Sequence, residues 1–196
     1  MGAAATLVVA APRVAGEQSM NINKLKIILR HLWLDASDVR RAIAPEVLQR
    51  LTQRVAASEN RHSGQIRICV EASLPMSYLW RLGKTTTINQ LVRQRALMLF
   101  GKLHVWDTAH NNGVLVYLQL AERAIEIVAD RGLAGPVPPQ EWQAMTQRMA
   151  AAFREGRFED GLTQALEEVS ALLVMHFPAV AGEQQANELP NEPVLG

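Results

Sequence analysis

The sequence predicts an α/β sandwich: a small central sheet, helices on both of its faces, and additional helices ahead of it. Three observations predict it. Gln65–Ala72 alternates apolar and polar residues as a strand does. Helical spacing of Ile88, Leu91, Val92 and Leu99 follows, and then Gly113–Leu120, apolar on both faces as a central strand is. A strand, a crossover helix and a strand imply a parallel pair with a right-handed connection. The run Arg123–Ala129 comes about two residues after Leu120, so it returns as a hairpin.

The elements are justified in order. Ile22, Leu25, Ile28, Leu29 and Leu32 are spaced as one face of a helix ending near Trp33. Asp35-Ala36-Ser37-Asp38 is a break with a capping residue. Pro45 suits the first position of the next helix, where its missing N–H costs nothing. Val47, Leu48, Leu51 and Val55 form that helix's apolar stripe, which stops before His62-Ser63-Gly64. In the first strand Ile66, Ile68 and Val70 point one way and Arg67, Cys69 and Glu71 the other. Pro75 ends it, and a linker runs past Trp80 and Gly83, with Trp80 and Trp106 read as packing residues. Gly101 is expected to terminate the crossover helix. After the hairpin, Pro138-Pro139 opens a helix with a core stripe of Trp142, Met145, Met149 and Phe153, ended by Gly156. Leu162, Leu166, Val169 and Leu173 mark the last helix, and Pro178 stops it.

Composition narrows the function. The 196 residues are 48% hydrophobic, enough for a core. A net charge of +1 gives no global pull toward nucleic acid, and no nucleic-acid partner is expected. Charge is uneven, with Lys24, Lys26, Arg30, Arg40 and Arg41 early and Glu183, Glu188 and Glu192 late. Solvated helix faces explain such runs; docking of the basic N-terminal helices on a membrane surface is a further reading. The single cysteine, Cys69, excludes an internal disulfide and sits in an apolar run as a small core residue. No run approaches the ~18–20 apolar residues of a membrane span. The start, MGAAATLVVAAPRVAGEQS, has an apolar stretch but no basic n-region, and Pro12-Arg13 interrupts it. Either it is a signal peptide or Met20 is the true start and residues 1–20 are a flexible or mis-called extension. The polar stretch 179–196 is expected to be disordered.

Candidate chemistry is sparse. Gly83-Lys84-Thr85 has Tyr78 where a phosphate loop needs glycine. His31, His62, His104, His110 and His176 form no zinc spacing. No serine or threonine sits in a nucleophile elbow. Glu71 is a candidate acid or base, or else a cross-strand partner of Arg67 or Arg123. Hairpin topology places the start of one strand beside the end of the next, so Asn111-Asn112 approaches Asp130-Arg131-Gly132, with Asp107 and His110 in the preceding loop. Asp107, Asn111, Asn112 and Asp130 would then gather oxygen ligands for Ca²⁺ or Mg²⁺ at one sheet edge. Gly113 and Gly132 permit close backbone approach. The alternative is ordinary turn chemistry, because Asn and Gly are default turn residues.

At these residues the chain resembles the TPM domain family, over roughly Leu51 to Pro178. The matching motifs are Ser63-Gly64-Gln65-Ile66, Asn111-Asn112-Gly113-Val114-Leu115, Ala129-Asp130-Arg131-Gly132 and the stretch from Phe153 to Leu162. The likeness is to the bacterial group with Ala-Asp-Arg-Gly and Glu-Gly-Arg-Phe-Glu-Asp-Gly-Leu. It implies a three-layer, Rossmann-like sandwich without a nucleotide cofactor. It also implies a link to membrane or envelope proteins, divalent-cation binding near the Asn-Asn-Gly turn, and a phosphatase activity attributed to some members. The family's turn aspartate is Asn111 here, which removes a charge and weakens the expected cation binding. The expected organisation is an extension over 1–20, a helical segment over 21–44, a TPM-like domain over 45–178 and the tail. The expected function is a non-catalytic accessory module with an unidentified protein partner and at most a weak Ca²⁺ or Mg²⁺ site. The alternative is a weak metal-dependent phosphatase. The expected location is cytoplasmic or membrane-peripheral, or periplasmic if the start is a signal peptide.

Overall fold

A computed structural model describes residues 7–8, 20–83, 85–180 and 186–196. Five strands among them form one sheet: β1 (Leu7–Val8), β2 (Ile66–Glu71), β3 (Val114–Gln119), β4 (Ala124–Ala129) and β5 (Val194–Leu195), in the order β1-β4-β3-β2-β5. β2 and β3 run parallel in register from Ile66↔Val114 to Glu71↔Gln119. β3 and β4 form the antiparallel hairpin, from Val114↔Ala129 to Gln119↔Ala124. Arg123 closes its turn with a φ of 49°, a left-handed residue just before β4.

The helices are α1 (Met20–Trp33), α2 (Ala36–Ala42), α3 (Pro45–Glu59), α4 (Met76–Leu79), α5 (Ile88–Lys102), α6 (Arg131–Ala134), α7 (Pro139–Arg154) and α8 (Phe158–His176). Two cores lie on opposite faces of the sheet, which makes the three layers. On one face Ile68, Val116 and Ile127 meet Leu51 of α3, Trp142 and Phe153 of α7, and Val169 of α8. On the other, Leu115, Tyr117 and Val128 meet Leu91, Val92 and Leu99 of α5. Alternation along β2 sends Cys69 to the α5 side and Ile66, Ile68 and Val70 to the other, as its sequence predicts.

Local signals place the helix ends. Asp35 caps α2 in a reciprocal capping box with Asp38, and Thr87 caps α5 in another with Gln90. Pro45 and Pro139 open α3 and α7. Gly156, at φ 77°, follows the Glu155 C-cap and ends α7 as its sequence predicts. Three short helices (α2, α4 and α6) occupy segments read as a break, a linker and a turn. Gly101 does not end α5, which continues through Lys102, and His104 takes the left-handed conformation at φ 55°.

Three further expectations are corrected. The polar tail does not lie free over 186–196: β5 pairs in parallel with β2 at Cys69↔Val194 and Val70↔Leu195. Gln65 Oε1 accepts the backbone N–H groups of Glu188 and Leu189, and Leu189 is buried. An open strand edge leaves backbone donors and acceptors unpaired, so any extended segment in reach can fill it, whatever its side chains. Trp80 and Trp106 are not packing residues; they are 77% and 47% exposed, because both sit on connections outside the helices that cover the sheet. Finally, α1 turns Ile27, Ile28 and His31 inward and leaves Leu25, Leu29 and Leu32 exposed, so most of its apolar stripe faces outward. His31 explains the choice. Its Nδ1 accepts the Leu74 N–H at 2.9 Å, which puts the proton on Nε2, and Nε2 then donates to Glu122 at 3.0 Å. Arg30 pairs with the same carboxylate.

Of the N-terminal stretch, Leu7–Val8 pairs antiparallel with Val128 and Ala129. The remainder of residues 1–19, Lys84 of the rejected phosphate loop, and residues 181–185 lie outside the described residues.

Candidate functional site

Two turns meet at the end of the sheet where β3 begins and β4 ends. In the first, Asn111 takes φ 53°, a left-handed conformation that Asn tolerates better than most residues. Its N–H donates to Thr108 O at 3.1 Å. The buried Thr108 hydroxyl accepts the Asn112 N–H at 3.1 Å. The side chain of Asn112 is fully buried and donates through Nδ2 to Ser63 Oγ at 3.2 Å, which ties the turn to the segment entering β2.

In the second turn Asp130 is the N-cap of α6, its Oδ1 accepting the Arg131 N–H at 2.7 Å. Backbone bonds join the turns: Asp130 N–H to Gly113 O at 2.9 Å and Gly132 N–H to Asn111 O at 2.8 Å. Arg131 Nη2 donates to Asn111 Oδ1 at 2.6 Å. Gly132 is required by this contact, and Gly113 by the close approach of the Val105 segment. A Cβ on Gly113 would overlap the Val105 carbonyl oxygen, and one on Gly132 would lie 2.5 Å from Asn111 O and 2.8 Å from His110 O.

The structure therefore brings Asn111, Asn112, Asp130 and Arg131 together, as hairpin topology predicts. Asp107 and His110 are exposed on the loop, and among the described residues no side-chain hydrogen bond joins them to the cluster. Two oxygens stand out. Asn112 Oδ1 and Asp130 Oδ2 are both buried with no hydrogen-bond partner, a situation that costs on the order of 1–3 kcal/mol per group unless something fills it. Burial pushes the Asp130 carboxyl above its ordinary pKa, against the pull of the Arg131 N–H and guanidinium.

These oxygens decide how well the cluster fits a hard cation. Asn112 Oδ1 and Asp130 Oδ2 fit as ligands, one neutral and one anionic. Asn111 Oδ1 already accepts from a guanidinium, so it fits only if Arg131 swings away. Among the described residues no three His, Cys, Asp or Glu side chains gather at metal distance.

Glu71 stands at the opposite end of the strands and is fully engaged. Arg95 of α5 grips it twice, Nε to Oε2 at 2.9 Å and Nη2 to Oε1 at 2.5 Å. The Tyr117 hydroxyl donates to Oε2 at 2.8 Å. The expected partners Arg67 and Arg123 point elsewhere: Arg67 to the carbonyls of Pro190 and Glu192, Arg123 to Arg154 O at 2.6 Å. Burial and the adjacent carboxylate hold the Tyr117 phenol well above its ordinary pKa. Cys69 behaves as read, its thiol pushed up to about 12 by burial and therefore a poor nucleophile.

Sequence reasoning missed Ser63 and Thr108 as supports of the turn, Arg95 and Tyr117 as the clamp, and Glu188, whose Oε2 accepts the Ala109 N–H at 2.8 Å. These partners lie 24 to 79 positions apart where the separation exceeds a turn, so no local pattern marks them. Also unmarked is Glu126 on β4, buried with Oε2 unpartnered and Arg93 Nη1 at 3.7 Å. Burial pushes its pKa from 4.5 to about 8. The folded carboxyl holds its proton to higher pH than the unfolded one, so its ionisation costs stability progressively between pH 4.5 and 8. Glu126→Gln is expected to flatten that decline and to raise unfolding stability above pH 8 by on the order of a few kcal/mol, read by urea denaturation across pH.

Among the described residues no helix is long and apolar enough to cross a membrane. Compared with known proteins, residues 37–172 match the family described as TPM domain. No curated protein matches. Among solved structures, the NMR structure of BA42 protein from the psychrophilic bacterium Bizionia argentinensis is similar, with a TM-score of 0.64 and 24% identity. The likeness covers 78% of this chain and 94% of that one, and at this identity it shows a shared fold.

Proposed function

Since the chain belongs to the TPM domain family, we propose that it is a non-catalytic accessory module for membrane or envelope proteins, modulated by a divalent cation at its paired turns. One observation carries the cation reading: Asn112 Oδ1 and Asp130 Oδ2 are buried and unpartnered where the two turns meet. Ca²⁺ or Mg²⁺ would take these two oxygens, with Asn111 and Asp107 joining if the loop adjusts. A single buried carboxylate, with Arg131 close by, makes the site weak, in the range of about 10⁻⁴–10⁻³ M or above. The non-catalytic reading is supported by Glu71, the residue singled out as an acid or base, being held by Arg95 and Tyr117 and so unavailable as a base. The proposed location is cytoplasmic or membrane-peripheral, with a periplasmic alternative if the N-terminus is a signal.

The exposed Arg131 guanidinium beside Asp130 favours a second reading, a weak metal-assisted phosphatase. A bound cation would polarise a phosphate oxygen there, while Arg131 would orient the anion. Hydrolysis of a generic phosphomonoester in millimolar Mg²⁺ separates the two. The accessory reading predicts no saturable turnover; saturable turnover lost on adding chelator and lost in Asp130→Ala would replace it with the phosphatase.

A further inference from the structure

We propose that residues 188–196 form a strap that latches the loop of the paired turns and lowers their affinity for a divalent cation, so that ion binding and strap release are coupled; this rests on the cation reading above. Two sets of contacts carry it. The first docks the strap along the edge of β2. Gln65 Oε1 accepts the Glu188 and Leu189 N–H groups at 3.0 and 3.1 Å, and Leu189 is buried in the core on the α5 side. Arg67 Nη1 donates to the carbonyls of Pro190 and Glu192, and Val194 and Leu195 pair with Cys69 and Val70. The second set reaches the site. Glu188 Oε2 accepts the Ala109 N–H at 2.8 Å, across 79 positions of chain. Ala109 follows Thr108, whose carbonyl and hydroxyl oxygens accept the Asn111 and Asn112 N–H groups. Gln65 serves both sets: its side chain holds the strap, and its backbone oxygen accepts the Val114 N–H at 2.8 Å, where β3 leaves the turn.

The latch opposes a fuller coordination shell. A hard cation seeks six or more oxygens, and the turns as they stand offer Asn112 Oδ1 and Asp130 Oδ2. Asp107 is exposed outside the cluster, and Asn111 Oδ1 is taken by Arg131. Bringing either to the ion requires residues 107–111 to change course. Ala109 lies midway in that segment, and Glu188 fixes it. By linkage, an ion that draws the loop in must weaken the latch by the same factor. The strap is built for such release. Its ladder with β2 is two residues long, most of its bonds use backbone groups, and within 188–196 only Leu189 and Pro193 are buried.

The test is an amide-shift titration of the full chain with Ca²⁺ alone, on the parent, Leu189→Ser, Glu188→Ala and Glu188→Gln. Leu189→Ser removes the strap's apolar anchor without changing charge, and should bind Ca²⁺ at Asn111–Gly113 and Asp130–Gly132 about fivefold or more tightly than the parent. Glu188→Ala and Glu188→Gln lose the same charge, but glutamine keeps an oxygen for the Ala109 N–H. Glu188→Ala should therefore bind Ca²⁺ more tightly than Glu188→Gln. In the parent, saturating Ca²⁺ should move the Val194 and Leu195 amides toward their positions in ion-free Leu189→Ser. Ca²⁺ binding at the turns that is no tighter in Leu189→Ser than in the parent, or equal in the two Glu188 variants, would overturn the strap and leave the cation site standing. Absence of shifts at the turns in every chain would overturn both. Should Leu189→Ser fail to keep the parent's circular dichroism, the Glu188 pair, at an exposed position, decides alone.

Discussion

Gly113→Ala is expected to destabilise the fold by about 3 kcal/mol or more, the upper part of the range for overpacking. The reason is the nature of what the new methyl meets. It would overlap the carbonyl oxygen of Val105, and the carbonyl carbon and a Val105 methyl lie 3.0 and 3.1 Å from the added atom. Backbone cannot rotate aside as a side chain does. Relief requires separating the Val105 segment from the turn, and Gly113 O also accepts the Asp130 N–H that joins the two turns. The substitution should therefore lower the urea midpoint and also disperse the amide resonances of Asn111, Asn112 and Asp130. Gly101→Ala, where no atom lies within 4 Å of the added methyl, is the matched control and should be neutral or slightly stabilising. Comparable stability of Gly113→Ala and Gly101→Ala would show that the Val105 carbonyl does not lie against Gly113 as described.

Glu71→Ala is expected to cost roughly 3–5 kcal/mol, the usual range for removing one partner of a buried ion pair. Arg95 would be left with its guanidinium mostly enclosed, and the Tyr117 hydroxyl would lose its acceptor. Some relief comes from Tyr78, whose ring lies 5.6 Å from the Arg95 guanidinium carbon. Glu71→Gln keeps the acceptor oxygen and should cost less than Glu71→Ala. The clamp joins β2, β3 and α5, so the loss should appear in global unfolding by denaturant. A catalytic acid or base at this position would instead be removed with little change in stability.

The parts of the fold that rest on periodicity were legible in the sequence. Ile66, Ile68 and Val70 alternate as they face the α3, α7 and α8 core, and Trp142 and Phe153 recur at helical spacing on α7. The crossover from β2 through α5 to β3 and the short span to β4 then leave little freedom in topology. Hairpin geometry alone predicts the approach of Asn111-Asn112 to Asp130-Arg131, because it follows from where two paired strands begin and end. What was not legible depends on contacts between distant segments. β5 reaches β2 through backbone groups, which carry no side-chain signature. Leu25, Leu29 and Leu32 have core-like spacing yet face outward, because His31 and Glu122 decide which side of α1 is turned in. Spacing reports that a helix has an apolar face; it does not report what covers that face. Asp107 and His110 lie close in sequence to Asn111 but outside its hydrogen-bond net, so proximity along the chain overstated the site.

The most direct measurement is an amide-shift NMR titration of the full chain with Ca²⁺ and then Mg²⁺, repeated on Asp130→Asn. Saturable shifts centred on Asn111–Gly113 and Asp130–Gly132, at about millimolar ion and lost in the variant, are the predicted result. No shift at those residues in millimolar ion, or equal shifts in Asp130→Asn, would contradict a cation-modulated module and leave Asn112 and Asp130 as parts of an ordinary turn.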